Sequence, residues 1–356
     1  MCAYMSPKNI LITGGCGFIG SHFIEHTLKA YSDVTVTCVD AMTYAAHPDT
    51  ADYLARLAPE RYHFIKADIA SPEMASLLTP GAFDAVVNFA AESHVDRSIL
   101  DPGIFVRTNV LGVQNLVDLS RKAGVARFVQ VSTDEVYGSL SADAPLSRET
   151  SHLDPNSPYA ASKAAADLLA LAAARTFKQD IVITRCTNNF GPYQFPEKLL
   201  PLLIANASED QPVPVYGDGQ QVRDWIYVED HARGIDAVLR RGRSGEIYNL
   251  SAREQRKNLD LVRGVLGFLG KPESLIQFVG DRPAHDRRYG LDPSKAETEL
   301  GWKPEVTFEE GLRRTIDWYL THQSWWKKIR DKEYFSFYRA NYEAKFGEAA
   351  ARETTL

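Results

Sequence analysis

The sequence predicts an α/β fold in which a doubly wound parallel sheet carries a smaller, discontinuous α/β cap. Three observations support this prediction. Short apolar runs alternate with helical patterns over the first half of the chain, as βαβ units do. A glycine-rich turn directly follows the first apolar run. After residue 190 the alternation gives way to segments rich in Pro, Gly and Tyr, which are typical of a second, smaller unit.

The composition is that of an ordinary globular protein. The chain has 356 residues, of which 44% are hydrophobic and 24% charged, and its formal net charge is −6. This charge argues against a surface for nucleic acid or anionic membrane. Four widely spaced cysteines indicate reduced thiols rather than disulfides or a metal site. Because the sequence shows no signal-peptide pattern and no long apolar run, we expect a cytoplasmic protein without a membrane partner.

The first predicted βαβ unit contains a dinucleotide-binding pattern. The apolar run Asn9–Thr13 predicts a buried strand, and a helical pattern runs from Phe18 to Leu28. Between them lies the turn Gly-Gly-Cys-Gly-Phe-Ile-Gly, in which the backbone can approach a pyrophosphate at the helix N-terminus. The glycines that we expect to contact the cofactor are Gly14, Gly17 and Gly20.

The second strand predicts which dinucleotide is bound. The run Val34–Val39 ends at Asp40, twenty residues after Gly20. A carboxylate at this point can accept hydrogen bonds from both ribose hydroxyls, and it repels a 2′-phosphate. We therefore expect a Rossmann-type domain that binds NAD rather than NADP.

Further strands alternate with helices along the chain. Helices of this length between strands imply right-handed crossovers and a parallel sheet, so the carboxyl ends of the strands meet at one edge. The strands are expected at Tyr62–Ala67, Phe83–Phe89, Arg127–Ser132, Ile181–Thr184 and Glu246–Leu250, and helices at Pro102–Ala123, Tyr159–Phe177 and Val228–Arg240. The segment Asn258–Gly270 is expected in the cap.

Five side chains suited to proton transfer follow the strand that ends at Ser132. Thr133, Asp134 and Glu135 come where the strand runs into a loop, which is where ligands bind in open α/β sheets. Tyr159 and Lys163 are four residues apart on the next helix and therefore share one of its faces. The sequence thus places these groups beside the predicted dinucleotide site.

The helix of Tyr159 and Lys163 also contains many alanines. With the helix Pro102–Ala123 it is suited to a homodimer interface, but its alanines equally fit a buried seam within one monomer. Both interpretations stay open. The alanines concerned are Ala160, Ala161, Ala164, Ala165 and Ala166.

We expect two domains and a tail. The NAD-binding domain comprises residues 1–189 plus about 226–252, and the cap comprises about 190–225 plus 253–328. Residues 329–356 form a tail, which we expect to be partly helical because aromatic residues recur in it at helical spacing. Such a helix packs either on its own cap or on a partner. The tail aromatics are Tyr334, Phe337, Tyr338, Tyr342 and Phe346.

Five motifs give the chain a family resemblance over residues 8 to 328. It resembles the extended short-chain dehydrogenase/reductase superfamily and, within it, the dTDP-glucose 4,6-dehydratase family. The glycine turn and the Tyr-x-x-x-Lys pair are shared by the superfamily, whereas the motifs specify the narrower family. They are Ala90–Ser98, Ser132–Gly138, Asn188–Lys198, Tyr216–Trp225 and His285–Tyr289.

The resemblance implies a hydro-lyase of deoxysugar biosynthesis with tightly bound NAD. Such an enzyme oxidises C4 of a nucleotide-activated hexose, eliminates water across C5 and C6, and returns the hydride to C6. Tyr159 would be the C4 base, with its pKa lowered by Lys163 and the nicotinamide charge. By resemblance Glu135 removes the C5 proton and Asp134 protonates the leaving hydroxyl, because its neighbour Glu135 raises its pKa. Thr133 would hydrogen-bond the C4 oxygen.

The resemblance also implies two sets of binding residues. Lys198, Arg223 and Arg288 would supply the positive charge that a diphosphate requires. Besides the three glycines, the cofactor set is Phe18, Ile19, Asp40, Thr43, Asp68, Ile69, Ala90, Ala91, Thr108, Tyr159, Lys163 and Asn188. The nucleotide-sugar set is Ser93, Thr133, Asn189, Lys198, Leu199, Tyr216, Arg223, Asn258, His285, Arg288 and Tyr289.

Three alternative functions remain at this point. UDP-glucose or another nucleotide sugar can replace dTDP-glucose, since no single residue distinguishes thymine from uracil. A nucleotide-sugar 4-epimerase would use the same Tyr159, Lys163 and NAD but has no need of Asp134 and Glu135. A non-catalytic NAD-binding module would need neither acid.

Overall fold

A seven-stranded parallel sheet forms the centre of the protein. The computed structural model describes residues 4–329 and contains the strands β1 (Asn9–Thr13), β2 (Thr35–Asp40), β3 (Tyr62–Lys66), β4 (Ala85–Asn88), β5 (Arg127–Thr133), β6 (Ile181–Cys186), β7 (Asn188–Phe190), β8 (Val213–Tyr216), β9 (Val222–Tyr227), β10 (Ile247–Leu250), β11 (Gln255–Lys257) and β12 (Ile276–Val279). The central sheet has the order β10-β6-β5-β4-β1-β2-β3, and all its neighbouring strands are parallel. The predicted doubly wound sheet is confirmed.

Helices cover both faces of this sheet, and further helices belong to a smaller unit. They are α1 (Phe18–Ala30), α2 (Pro48–Leu57), α3 (Met74–Leu77), α4 (Val95–Leu100), α5 (Pro102–Phe105), α6 (Val113–Lys122), α7 (Pro158–Phe177), α8 (Leu199–Ser208), α9 (Val228–Arg241), α10 (Asn258–Phe268), α11 (Ser294–Leu300), α12 (Phe308–Thr321) and α13 (Gln323–Ile329). Because side chains alternate along a strand, Ile10 and Ile12 of β1 pack into one core and Leu11 into the other. Burial on both faces explains why β1 is apolar at successive positions.

The strand order reverses between β1 and β4, and this reversal positions the site. From β1 the chain proceeds outward to β2 and β3, whereas β4, β5 and β6 lie on the other side. A crevice forms at such a switch point, outside the carboxyl ends of the strands. The glycine turn after β1 and the loop after β4 therefore face each other there.

The predicted helix Pro102–Ala123 is a helical stretch with a π-helical centre. Residues Val106–Gly112 form the π segment between α5 and α6. Its Asn109 is buried and binds the loop after β4, because its amide donates to Glu92 O at 2.9 Å and accepts from Glu92 N at 2.9 Å. π turns are rare and are frequently found at functional sites. Here the segment holds the loop after β4 against the crevice.

A smaller unit covers the carboxyl edge of the central sheet. It contains a three-stranded sheet, β11-β9-β7, and a two-stranded sheet, β12-β8. Its core includes Leu203, Val215, Trp225, Val262 and Trp326. Between its parts the chain returns to the central sheet, where α9 packs on α1 and β10 pairs with β6.

The exact division into two domains remains our proposal, and two details of the structure differ from the predicted boundaries. The boundary after residue 189 falls inside β7, which pairs with β9 of the cap. Ala296, Leu300 and Trp302 pack into the core of the central sheet, although the predicted cap includes them. The periodicity of a short helix shows which face is apolar but not which core receives it.

The predicted aromatic tail helix from Tyr334 to Phe346 lies outside the described residues. Among residues 4–329, no helix has the length and apolar character needed to cross a membrane.

Candidate active site

One cavity runs from the glycine turn, along the carboxyl ends of β2, β4 and β5, to the cap. Every predicted catalytic and cofactor-binding residue lines it. All predicted nucleotide-sugar residues line it as well, with the exception of Arg288. The Arg288 guanidinium instead donates to Gln255 Oε1, Ser141 O and Ala144 O, at 2.8 to 3.0 Å. The fold therefore brings together residues that are up to 275 positions apart in the sequence, from Gly14 to Tyr289.

The glycine turn is built for close backbone approach. Gly14 has a positive φ of 70°, and a Cβ there would lie 2.5 Å from the Ala90 nitrogen. A Cβ at Gly20 would lie 2.4 Å from Gly14 O. The turn therefore fits only without side chains at these positions, and its backbone N–H groups stay open to a dinucleotide phosphate.

Asp40 is held in place by the backbone. One carboxylate oxygen accepts from Cys16 N at 3.0 Å and the other accepts from Met42 N at 2.8 Å. Burial raises the pKa of Asp40, and the two N–H donors oppose that rise. A fixed carboxylate at the end of β2 is the group that a ribose diol requires, so the residues at this end of the cavity fit NAD.

A second part of the cavity wall also fits NAD. The Asp68 carboxylate lines the cavity and is fixed by Ala70 N and Arg107 Nη2. Asn188 lines it too, and its buried side-chain oxygen has no hydrogen-bond partner within residues 4–329. A buried amide oxygen without a partner costs free energy, which a ligand N–H can recover.

Two cysteines lie together beneath the glycine turn. Cys16 Sγ is 3.9 Å from Cys38 Sγ, and both are free and buried. The hydrogen bond with Cys38 and burial raise the pKa of Cys16, so the Cys16 sulfur stays protonated. Their wide spacing in the sequence gave no sign of this contact.

The catalytic turn begins where β5 ends. Thr133 caps a 3₁₀ turn over Asp134–Tyr137, since its hydroxyl accepts from Glu135 N at 3.3 Å. The same hydroxyl donates to Asp134 Oδ1 at 3.2 Å. Gly138 closes the turn with a positive φ of 76°, where a Cβ would lie 2.1 Å from Asp154 O. The sequence Thr-Asp-Glu is thereby bent so that all three side chains reach the cavity.

The surroundings of Asp134 keep it protonated. It is 4% exposed. Burial is the largest cause that raises its pKa well above the ordinary value, and the charge of Glu135 is the second. The predicted direction of the pKa shift is therefore correct, but burial contributes more than the like-charge pair.

Glu135 is surrounded by cations. Burial raises its pKa, but the charges of Arg282, Lys198 and Arg223 act in the opposite direction. These charges favour the ionised form of Glu135. Of the two neighbouring acids, Glu135 is thus suited to accept a proton and Asp134 to donate one.

Tyr159 and Lys163 lie on α7, whose N-terminus is capped by Ser157 accepting from Ala160 N. Lys163 Nζ donates to Val131 O at 2.7 Å. Burial, followed by the charge of Glu135, raises the pKa of Tyr159 well above its usual range. The predicted lowering of this pKa depends on the nicotinamide charge as well as on Lys163, and it stays a prediction. Burial of this phenol, the largest cause of the upward shift, was not visible in the sequence.

Cations of the cap converge on the far end of the cavity. Lys198 Nζ donates to Ser93 O at 2.9 Å, which joins the cap to the loop after β4. The Arg223 guanidinium donates to Asp286 O at 2.9 Å and lies over the Tyr289 ring, 4.3 Å from its centre. Both cations line the cavity, so they are held in position before any ligand binds.

Charged residues at this end of the cavity were missed, among them Arg282 and Glu197. Arg282 lines the cavity three residues before His285, in a segment that already resembled the family. Glu197 lines it next to Lys198, and burial raises its pKa to about 7. Because a diphosphate requires positive charge, Arg282 could have been found from the sequence. Glu197 could not, because only burial distinguishes it from a surface acid.

Comparisons with known proteins agree with this geometry. A family model described as GDP-mannose 4,6 dehydratase matches residues 11–315. The dTDP-glucose 4,6-dehydratase of Salmonella typhimurium is 44% identical, over 94% of this chain and 99% of that protein. The corresponding enzyme of Xanthomonas campestris is 47% identical, over 91% and 96%.

A solved structure extends the similarity to the fold. The crystal structure of DesIV, a dTDP-glucose 4,6-dehydratase from Streptomyces venezuelae with NAD bound, matches with a TM-score of 0.86 and 47% identity. The match covers 90% of this chain and 99% of the DesIV chain. Sequence, fold and cavity agree, and the chain belongs to the dTDP-glucose 4,6-dehydratase family of the extended short-chain dehydrogenase/reductase superfamily.

Proposed function

We propose that the protein converts dTDP-glucose into dTDP-4-keto-6-deoxyglucose by NAD-dependent loss of one water. One observation carries this proposal. A buried, protonated Asp134 and a cation-flanked Glu135 face the same cavity as Tyr159 and the dinucleotide-binding turn. Dehydration needs an acid and a base beside a redox site, and the other reactions considered do not need both.

The cofactor end of the cavity is assigned to NAD. The glycine turn would hold the pyrophosphate, Asp40 the ribose, and Asn188 and Lys163 would lie at the nicotinamide end. When bound there, NAD supplies the hydride acceptor for C4 and the hydride donor for C6. Asp40, fixed by two N–H donors, excludes a 2′-phosphate by charge repulsion.

The first proton transfer is assigned to Tyr159. Its phenolate accepts the proton of the 4-hydroxyl as C4 becomes a ketone. Because the chain by itself raises the pKa of Tyr159, this phenolate would form only with NAD bound, whose nicotinamide charge would stabilise it together with Lys163. Thr133, fixed at the start of the turn by Glu135 N, directs its hydroxyl to the C4 oxygen.

Elimination of water is assigned to the two acids. The C4 ketone acidifies the C5 proton, and the Glu135 carboxylate removes it. Asp134 gives its proton to the 6-hydroxyl, which leaves as water. Because the two groups lie next to each other on one 3₁₀ turn, proton removal and proton donation occur at neighbouring carbons of the sugar.

The diphosphate is assigned to the cations of the cap. Arg223, Lys198 and Arg282 line one end of the cavity. Arginine is well suited to phosphate because its planar guanidinium makes two parallel hydrogen bonds. The remaining cap residues then lie around the nucleoside, among them Tyr216 and Asn258.

The test is incubation of the purified protein with dTDP-glucose in deuterated water, followed by mass spectrometry. We expect a product that has lost one water and carries solvent deuterium at C5. An unchanged mass with inverted C4 would instead establish an epimerase. No turnover with retained NAD binding would establish a non-catalytic module. A parallel reaction with UDP-glucose decides the nucleotide.

We also propose a homodimer formed through α7 and the helical stretch 102–122. The alanines Ala160, Ala164 and Ala166 are buried within the monomer, as the seam interpretation predicts. The outer face of α7 exposes Leu168 by 57% and Leu169 by 38%, and the adjacent π segment exposes further apolar side chains. A contiguous apolar face of two helices matches the same face of a second copy.

A cytoplasmic location is proposed on the basis of the cysteines. Cys16 and Cys38 are in contact as free thiols. A reducing compartment keeps such a pair reduced.

A further inference from the structure

The first turn of α4 connects several walls of the cavity. Arg97 lies over the ring of Tyr44 in the loop after β2, with 3.7 Å between the guanidinium carbon and the ring centre. Asp96 reaches in the other direction, to the cap. The structure thus joins the NAD-binding side and the cap through two consecutive charged residues, of which Asp96 has no role in the reaction described above.

Asp96 contacts two cap residues that line the cavity. Its Oδ2 accepts from the Tyr216 hydroxyl at 2.8 Å, and its Oδ1 is 3.5 Å from Arg282 Nη1. The side chain is buried, with 7% of the residue exposed. Removal of the carboxylate from such a pair would leave the largely buried charge of Arg282 uncompensated, which is costly.

The charges around Arg282 explain why it needs a carboxylate. Burial is the largest cause that lowers the pKa of Arg223, and repulsion between Arg282 and Arg223 acts in the same direction. The side chain of Arg282 is 19% exposed and has a path toward solvent. Asp96 supplies the opposing charge on the inner side, and it is the first charge that raises the pKa of Arg282. Attraction to Asp96 therefore keeps the guanidinium in the cavity.

We infer that Asp96 is a positioning residue for the substrate: it fixes Arg282, together with Tyr216, where the guanidinium meets the nucleotide diphosphate. The inference rests on the proposed function, because it takes the ligand to be a nucleoside diphosphate sugar. It adds a contact between the two sides of the cavity that is made before the substrate binds. Such preorganisation reduces the cost of ordering a charged side chain on binding.

The test compares the wild-type protein with Asp96→Asn. We expect the Kd for dTDP, measured by calorimetry, and the KM for dTDP-glucose to rise by about tenfold, since a charge-assisted contact is lost. The fall in kcat should be smaller than the rise in KM. The control is Asp230→Asn, because Asp230 is equally buried and bonded to Glu305 N and Val306 N but does not line the cavity. It should leave both constants unchanged.

A double-mutant cycle separates positioning from general support of the fold. In an Arg282→Ala background, Asp96→Asn should have little further effect on the Kd for dTDP, because its effect acts through Arg282. Equal tenfold effects in both backgrounds, or an unchanged Kd in Asp96→Asn alone, would overturn the inference. If Asp96→Asn does not fold, Tyr216→Phe removes the other partner and should raise the same Kd.

Failure of the proposed function has a different signature. In that case the wild-type protein would not release water from dTDP-glucose. The dTDP-binding comparison between wild type and Asp96→Asn would still report on the positioning role.

Discussion

Asp134 and Glu135 are adjacent acids with different surroundings. Burial keeps the proton on Asp134, whereas three cations favour the carboxylate of Glu135. The sequence alone shows two acids in a row. Which of them is the acid and which is the base depends on the residues of the cap that face Glu135.

Asp134→Asn should therefore abolish dehydration without disturbing binding. Asparagine has the same shape but cannot donate the proton that the leaving hydroxyl needs. We expect kcat to fall by about 10²- to 10⁴-fold, the usual contribution of a general acid, with KM within about twofold. Steady-state kinetics of water loss provide the measurement. A variant that keeps its kcat would remove Asp134 from the mechanism.

The pH dependence should report on Glu135. Its ionised form is active and burial raises its pKa, so kcat/KM should fall on acidification at a pH above the titration of a free glutamate, whose pKa is about 4.3. Lys198→Met removes a charge that lowers this pKa, and the acidic limb should move to higher pH. The control is Lys271, a cation of the cap that pairs with the exposed Asp210. Lys271→Met should leave the acidic limb of the pH profile in place. A limb unmoved in Lys198→Met would contradict the assignment.

At the scale of elements, two glycines within helices differ in the space available for a side chain. Gly20 in α1 has no room for a Cβ, which would lie 2.4 Å from Gly14 O. Gly264 in α10 has no atom within 4 Å of its Cβ position. Gly20→Ala should displace the glycine turn and reduce the NAD content of the purified protein. Gly264→Ala should retain NAD and raise the free energy of unfolding by about 0.5–1 kcal/mol.

NAD content is measured as the NAD released when the protein is denatured. The free energy of unfolding is measured by chemical denaturation. Equal NAD content in wild type and Gly20→Ala would show that the turn can shift without loss of binding, which contradicts a rigid cradle.

The regular elements of the central sheet were predictable because local patterns determine them. β1 through β6 fall within a few residues of the apolar runs, and α7 begins at Pro158 with its Ser157 cap. The π segment Val106–Gly112 was not predictable. It depends on Asn109 bonding to Glu92 and on Gly112 packing at Ile69, both long-range contacts.

At the scale of the whole molecule, the outer face of α7 determines the expected assembly. Leu168→Glu places a charge in the proposed dimer interface, where burial without a partner is costly. We expect the protein to change from dimer to monomer in light scattering, with its NAD content retained. Phe278→Glu is the control, since Phe278 is 48% exposed on β12 and outside this face. A wild-type monomer would contradict the proposal directly.

The sequence by itself determined the sheet, the NAD-binding turn and the set of reacting groups, because strand periodicity, glycine spacing and motif chemistry are local properties. Only the tertiary structure decided the pKa shifts and the contacts of these groups. Burial raises the pKa of Tyr159 and of Asp134. Cys16 contacts Cys38. Arg282 lines the cavity, whereas Arg288 does not. Burial and charge proximity depend on contacts between residues far apart in the chain, and no local pattern encodes them.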